Sequence, residues 1–148
     1  MSTTTTTLDD LIETLKDGQE GFQTAAENVK SPALKATLTT FSQQRAQFAG
    51  ELQGLSRSHG EPSPTMSSSA AGMLHRGWMN LKSAITGKDD HAILAECERG
   101  EDSAVEEFQK ALQAGLDADV LSVVQRQAEQ VQMAHDRVRD LRDSLASK

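Results

Sequence analysis

The chain is poor in the residues that mark β-rich, secreted and fibrous proteins. Of its 148 residues one is cysteine, three are proline and none is tyrosine, and aromatic residues make up 3%. Cys97, having no partner, cannot form an internal disulfide, which suits a reducing compartment and makes the cytoplasm the expected location. Three prolines and ten glycines are too few for a disordered or fibrous chain. Scarce aromatic and β-branched residues argue against a sandwich or barrel. No apolar run reaches the roughly 18 residues of a membrane span. Met1-Ser2 followed by Thr3 to Thr7 has neither the basic start nor the apolar stretch of a secretory signal. Excess positive charge is missing too. Fifteen basic against twenty-two acidic side chains leave a formal charge of −7, which disfavours a nucleic-acid partner and anionic membranes. The polar Thr run is expected to form a disordered tail over 1–7, leaving 8–146 as a single domain.

What the sequence does have is apolar residues spaced by three and four, in four long stretches. The first runs from Leu8 through Leu11, Ile12, Leu15, Phe22 and Ala26 to Val29. Thr7 is its expected cap, and Asp9, Asp10 and Glu13 suit the positive end of a helix dipole. Ser31 caps the second helix and Pro32 opens it. Leu34, Leu38, Phe41, Arg45, Phe48, Leu52 and Leu55 then repeat every seven residues, the seam of a helix bundle. The segment Glu61-Pro62-Ser63-Pro64 cannot continue a helix. A shorter helix with Met73, Leu74, Trp78, Leu81 and Ile85 follows, closed by Gly87. Asp89 or Asp90 caps a third long helix, striped by Ile93, Leu94, Cys97, Glu101, Ala104, Val105, Phe108 and Leu112 and ended by Gly115. A fourth, from about Asp117 to Ser144, carries Leu121, Val124, Ala128, Val131, His135, Val138, Leu141 and Leu145. Short turns join the first two long helices and the last two, while the stretch from Gly60 to Asp89 links the pairs. The expected architecture is all-α: two antiparallel hairpins joined by a long crossover that carries a shorter extra helix, the ferritin-like arrangement of a four-helix bundle.

Each long helix interrupts its apolar stripe near the middle. Arg45 sits in a seam of Leu and Phe, Glu101 and His135 sit in theirs, and the first helix places Asp17, Gly18, Gln19 and Glu20 between Leu15 and Phe22. Asp17 and Arg45 are equally far from the Ser31 turn, and Glu101 falls at a similar distance from the opposite turn to Val131, with Gln132 and His135 about a turn away. A polar layer across the bundle is the expected result. A buried Arg requires carboxylate partners, with Asp17, Glu20 and Glu101 as candidates. The alternatives are plain. Arg45 can snorkel from the seam edge. Glu101 can belong to a solvated acidic face with Glu96, Glu98, Asp102, Glu106 and Glu107. His135 can be a hydrogen-bonded flank histidine instead of a ligand, and Cys97 a small buried hydrophobe instead of a reactive thiol. His59, His75 and His91 share no ligand spacing.

The run from Asp17 to Glu27 resembles the first-helix signature of ferritin-like proteins. His75-Arg76-Gly77-Trp78, Glu98-Arg99-Gly100-Glu101-Asp102-Ser103-Ala104 and His135-Asp136-Arg137-Val138 are similar to a bacterial group of four-helix-bundle proteins defined by a DUF2383 domain, which has no assigned activity. The ferritin-like resemblance implies a di-iron site, with a Glu from each of two helices and Glu-x-x-His from each of the others. The matching positions here look like Asp17 or Glu20, then Arg45 and Phe48, then Glu101, then Gln132 and His135. Phe cannot ligate and a guanidinium repels a cation. The resemblance therefore implies that the metal ligands are lost, with Arg45 standing where the metal charge would be and Asp17, Glu20 and Glu101 as its counter-ions.

The reading that follows is a non-catalytic protein of structural, interaction or stress-associated type, with no cofactor and an unidentified protein partner. The sequence offers no phosphate loop, no paired cysteines and no nucleophile–base arrangement. The alternative is an iron- or manganese-binding redox protein with a remodelled site on Asp17, Glu20, Glu101 and His135, and a third is a small-molecule or lipid-binding bundle. A homodimer is expected to cover the apolar crossover at Met66, Met73, Trp78 and Met79.

Overall fold

The structure, a computed structural model, describes residues 3–60, 78, 80–87 and 89–146. Among them are five helices and no strand: α1 (Thr3–Asn28), α2 (Pro32–Ser58), α3 (Leu81–Thr86), α4 (Asp90–Leu112) and α5 (Ala118–Ala146). Met66, Met73, Met79, His75 and the Ser67–Ser69 run lie outside the described residues.

The helix boundaries follow local chemistry. Ser31 has extended backbone and its hydroxyl accepts from Leu34 N at 3.3 Å, while Pro32 occupies the first turn, where its missing N–H costs no hydrogen bond. Asp89 caps α4 by accepting from His91 N at 3.0 Å. Gly115, at φ +76°, turns the chain between α4 and α5 in a conformation that side chains disfavour. The N-terminus differs from the expected tail. Helix α1 begins at Thr3, and Thr4 and Thr5 are buried, so the first turn is held by packing and Thr7 is no cap.

The four long helices form two antiparallel hairpins. Cross-contacts give the register of α1 and α2: Lys35 Nζ donates to Ala26 O, and Ser42 Oγ to Gln19 O. Asp102 meets His135, and Glu98 meets Arg142, between α4 and α5. The Asp90 carboxylate accepts from Lys30 N and Ser31 N at 2.9 and 3.2 Å, which fixes the start of α4 beside the α1–α2 turn and makes α2 and α4 parallel. At the far end His59 pairs with Asp117 and Asp119 at 3.2 and 3.1 Å, clasping α2 to the entry of α5.

The apolar interior has two halves. One gathers Leu8, Leu11, Ile12 and Leu15 with Phe48, Leu52, Phe108, Val124 and Val131. The other gathers Phe22, Ala26, Leu34 and Leu38 with Trp78, Leu81, Ile93, Leu94, Cys97 and Val138. Between them, on three helices, lie the buried residues Asp17, Arg45 and Glu101. The fourth helix departs from expectation. Val120, Val124, Gln127, Val131, Ala134 and Val138 face inward, so Gln127 and Ala134 take the interior places expected for Ala128 and His135.

Candidate functional site: a buried ion pair at the bundle centre

Arg45 is 1% exposed and ranks among the largest fully buried side chains. Its two terminal nitrogens donate to the two oxygens of Glu101 at 2.5 and 2.6 Å, a parallel fork between α2 and α4. Nε donates to Gln44 Oε1 at 3.3 Å. The guanidinium carbon lies 5.2 Å from the centroid of the Phe22 ring, within cation–π range. Gly18 lies against the Arg45 side chain, where an added β-carbon would make ordinary contact at 3.5 Å from a terminal nitrogen and 3.6 Å from Cγ. Asp17, next to Gly18, is fully buried. Both readings that kept these groups at the surface, the snorkelling arginine and the solvated Glu101, disagree with this burial.

The crossover contributes one more wall. Trp78 is 3% exposed and lies between α1 and α4 on two glycines, Gly21 and Gly100, where an added β-carbon would overlap the indole. Its ring meets Phe22 edge-on at 5.3 Å, and Phe22 in turn stacks near Phe41 at 5.5 Å. Gly100 precedes Glu101 and Gly21 precedes Phe22, so the indole sits one residue from the ion pair and its aromatic neighbour. Trp78 is therefore interior, and the homodimer argument loses that residue. Close by, Cys97 is fully buried. Burial first, then the Glu101 and Glu96 carboxylates, push its thiol far above the ordinary range, which leaves it without thiolate character.

The remaining candidates do not join this centre. Glu20 is exposed. His135 sits on the outer seam of α4 and α5, with Nε2 at 2.6 Å from Asp102 and Nδ1 at 3.0 Å from Asp136. Burial works to lower its pKa, and the hydrogen bonds with Asp136 and Asp102 more than reverse that, so it is raised overall. Among the described residues Asp17, Glu20, Glu101 and His135 do not form a group of three donors, whereas Glu98, Asp102 and His135 do. Sequence periodicity passed over Glu98 and Asp102 because they read as part of an acidic face. It also missed Gln127, fully buried, whose Nε2 donates to Phe48 O and Glu51 Oε1, both at 3.3 Å.

A family model described as a domain of unknown function, DUF2383, matches residues 3–114. The chain belongs to the DUF2383 family. No curated protein matches it. A solved structure of a Mycobacterium smegmatis Dps1 mutant is similar over 93% of this chain and 93% of that one, with a TM-score of 0.76 and 14% sequence identity. At that identity the likeness speaks for the fold, a ferritin-like helical bundle. The di-iron centre that this fold implies does not fit the DUF2383 interior seen here. A guanidinium is bonded to Glu101, Phe48 offers no donor, Glu20 faces solvent and His135 lies on the flank.

Proposed function

We propose that this chain is a ferritin-like bundle whose interior metal site has been replaced by an ion pair, and that it serves as a non-catalytic protein of structural, interaction or stress-associated type in the cytoplasm. The observation that carries the reading is the Arg45–Glu101 fork, which is fully withdrawn from water. A cation placed there would meet a fixed positive charge, and the Glu101 oxygens are both taken by the guanidinium. The inert Cys97 and the two apolar halves around the pair support a scaffold, not a reaction chamber. No helix among the described residues is long and apolar enough to cross a membrane.

The test is aerobic addition of Fe(II) to the full chain while ferric absorbance is followed. The expected rate equals that of the protein-free blank. Catalysed oxidation that disappears in Glu101→Ala or Asp17→Asn would overturn the reading.

A further inference from the structure

We propose that the outer seam of α4 and α5 carries a site for a divalent metal ion of the zinc type, held by Glu98, Asp102 and His135. The site is separate from the bundle interior and does not rest on the reading above. One donor atom from each residue lies within 4.8 Å of the others. Glu98 and Asp102 are one helical turn apart on α4 and so project from the same face, toward His135 on α5. Two carboxylates and a neutral imidazole balance a divalent charge. The imidazole favours zinc and its first-row neighbours over Mg²⁺ and Ca²⁺, which prefer oxygen alone.

The arrangement behind His135 is what distinguishes this trio from a chance gathering of acids. Nδ1 faces the Asp136 carboxylate at 3.0 Å, which leaves Nε2 as the outward donor. Asp136 is itself held, since the same oxygen accepts from Gln132 Nε2 at 3.0 Å and from Arg139 at 3.5 Å. An outer carboxylate orienting a ligand histidine is the usual support of a metal-bound imidazole. Nε2 and Asp102 Oδ1 now stand at 2.6 Å. A metal at about 2.0–2.2 Å from each donor would spread them to about 3.3 Å. Asp102 is 59% exposed, so its side chain is free to rotate that far.

One group competes. The Arg142 guanidinium pairs with Glu98, and also with Asp143 at 2.8 Å. An incoming ion displaces it from Glu98, while Asp143 keeps it on the surface. The bound ion then ties the last two helices together at mid-length, with its remaining positions open to water.

The experiment is calorimetric titration of the metal-stripped full chain with Zn²⁺, with helical circular dichroism as the folding control. One ion per chain is expected. His135→Ala and Asp102→Asn should each weaken binding at least tenfold with helicity unchanged. Asp136→Asn, which touches no metal, should weaken it about 10–100-fold. Arg142→Gln should strengthen it, up to about fivefold, the worth of one surface ion pair. Absence of stoichiometric uptake, or an affinity untouched by His135→Ala, would overturn the proposal. Uptake lost in Glu101→Gln but kept in His135→Ala would overturn both this site and the interior reading, whereas iron oxidation with this Zn²⁺ profile intact would overturn the interior reading alone.

Discussion

Replacing Arg45 by leucine removes a guanidinium that is 1% exposed and leaves Glu101, at 0%, with both oxygens stripped of their donors. A buried carboxylate without its counter-ion costs about 3–5 kcal/mol, a large share of the roughly 5–15 kcal/mol that holds a domain together. At roughly 3 °C per kcal/mol for a chain of this size, the melting temperature should fall by about 10–15 °C. Glu101→Leu should cost a similar amount, because it strands the guanidinium. The double variant Arg45→Met with Glu101→Leu removes both charges and leaves apolar volume between two apolar halves. It should return to within about 2 kcal/mol of the parent, since desolvation offsets most of the attraction in a buried pair. Urea unfolding of the four proteins measures the cycle. A loss below about 1 kcal/mol in either single variant, or a double variant as unstable as the two singles added together, would refute the view that the pair is buried and coupled.

Glycine positions should respond with opposite signs. Gly21→Ala and Gly100→Ala would press a methyl group into the Trp78 indole and should destabilise by about 1–3 kcal/mol. Gly50→Ala and Gly54→Ala meet open space and should stabilise by up to about 1 kcal/mol each through helix propensity, as read from thermal melts. The hydrogen bond from His59, opposed in part by desolvation, holds the Asp119 carboxyl below its ordinary range. Its stabilising share is therefore present above the unfolded pKa and lost as pH falls through the lowered one. Asp119→Asn should melt earlier than the parent at pH 7, with the gap closing in strong acid. Cys97 should stay unmodified by a thiol reagent at pH 8 in native protein and react fully in denaturant, since burial holds its proton in place.

Much of the fold could be read from residue spacing because two signals agreed. The seven-residue seam of α2 and its Ser31-Pro32 entry both mark one helix with one buried face, and the structure buries Leu34, Leu38, Arg45, Phe48 and Leu52. The polar centre was legible in part for the same reason: a charged residue inside a regular stripe must be either buried or displaced. On α5 the stripe misled. Positions 121, 128 and 135 and positions 120, 127 and 134 share one period, and Gln127 is no more apolar than Ala128, so hydropathy pointed to the wrong one of two neighbouring faces. In the folded bundle Gln127 faces α2, donating to Phe48 O and Glu51 Oε1, while His135 lies on the α4 seam beside Asp102. The seating of Trp78 was illegible for another reason. Gly21 and Gly100 lie far apart in sequence and acquire meaning only when α1 and α4 come side by side.

The lone indole of a chain without tyrosine also makes the molecule its own optical gauge. Its near-ultraviolet emission arises at one place, the joint where the first hairpin meets the second. A blue-shifted spectrum reports that joint as dry, and any red shift at constant helicity records the hairpins parting before they unravel.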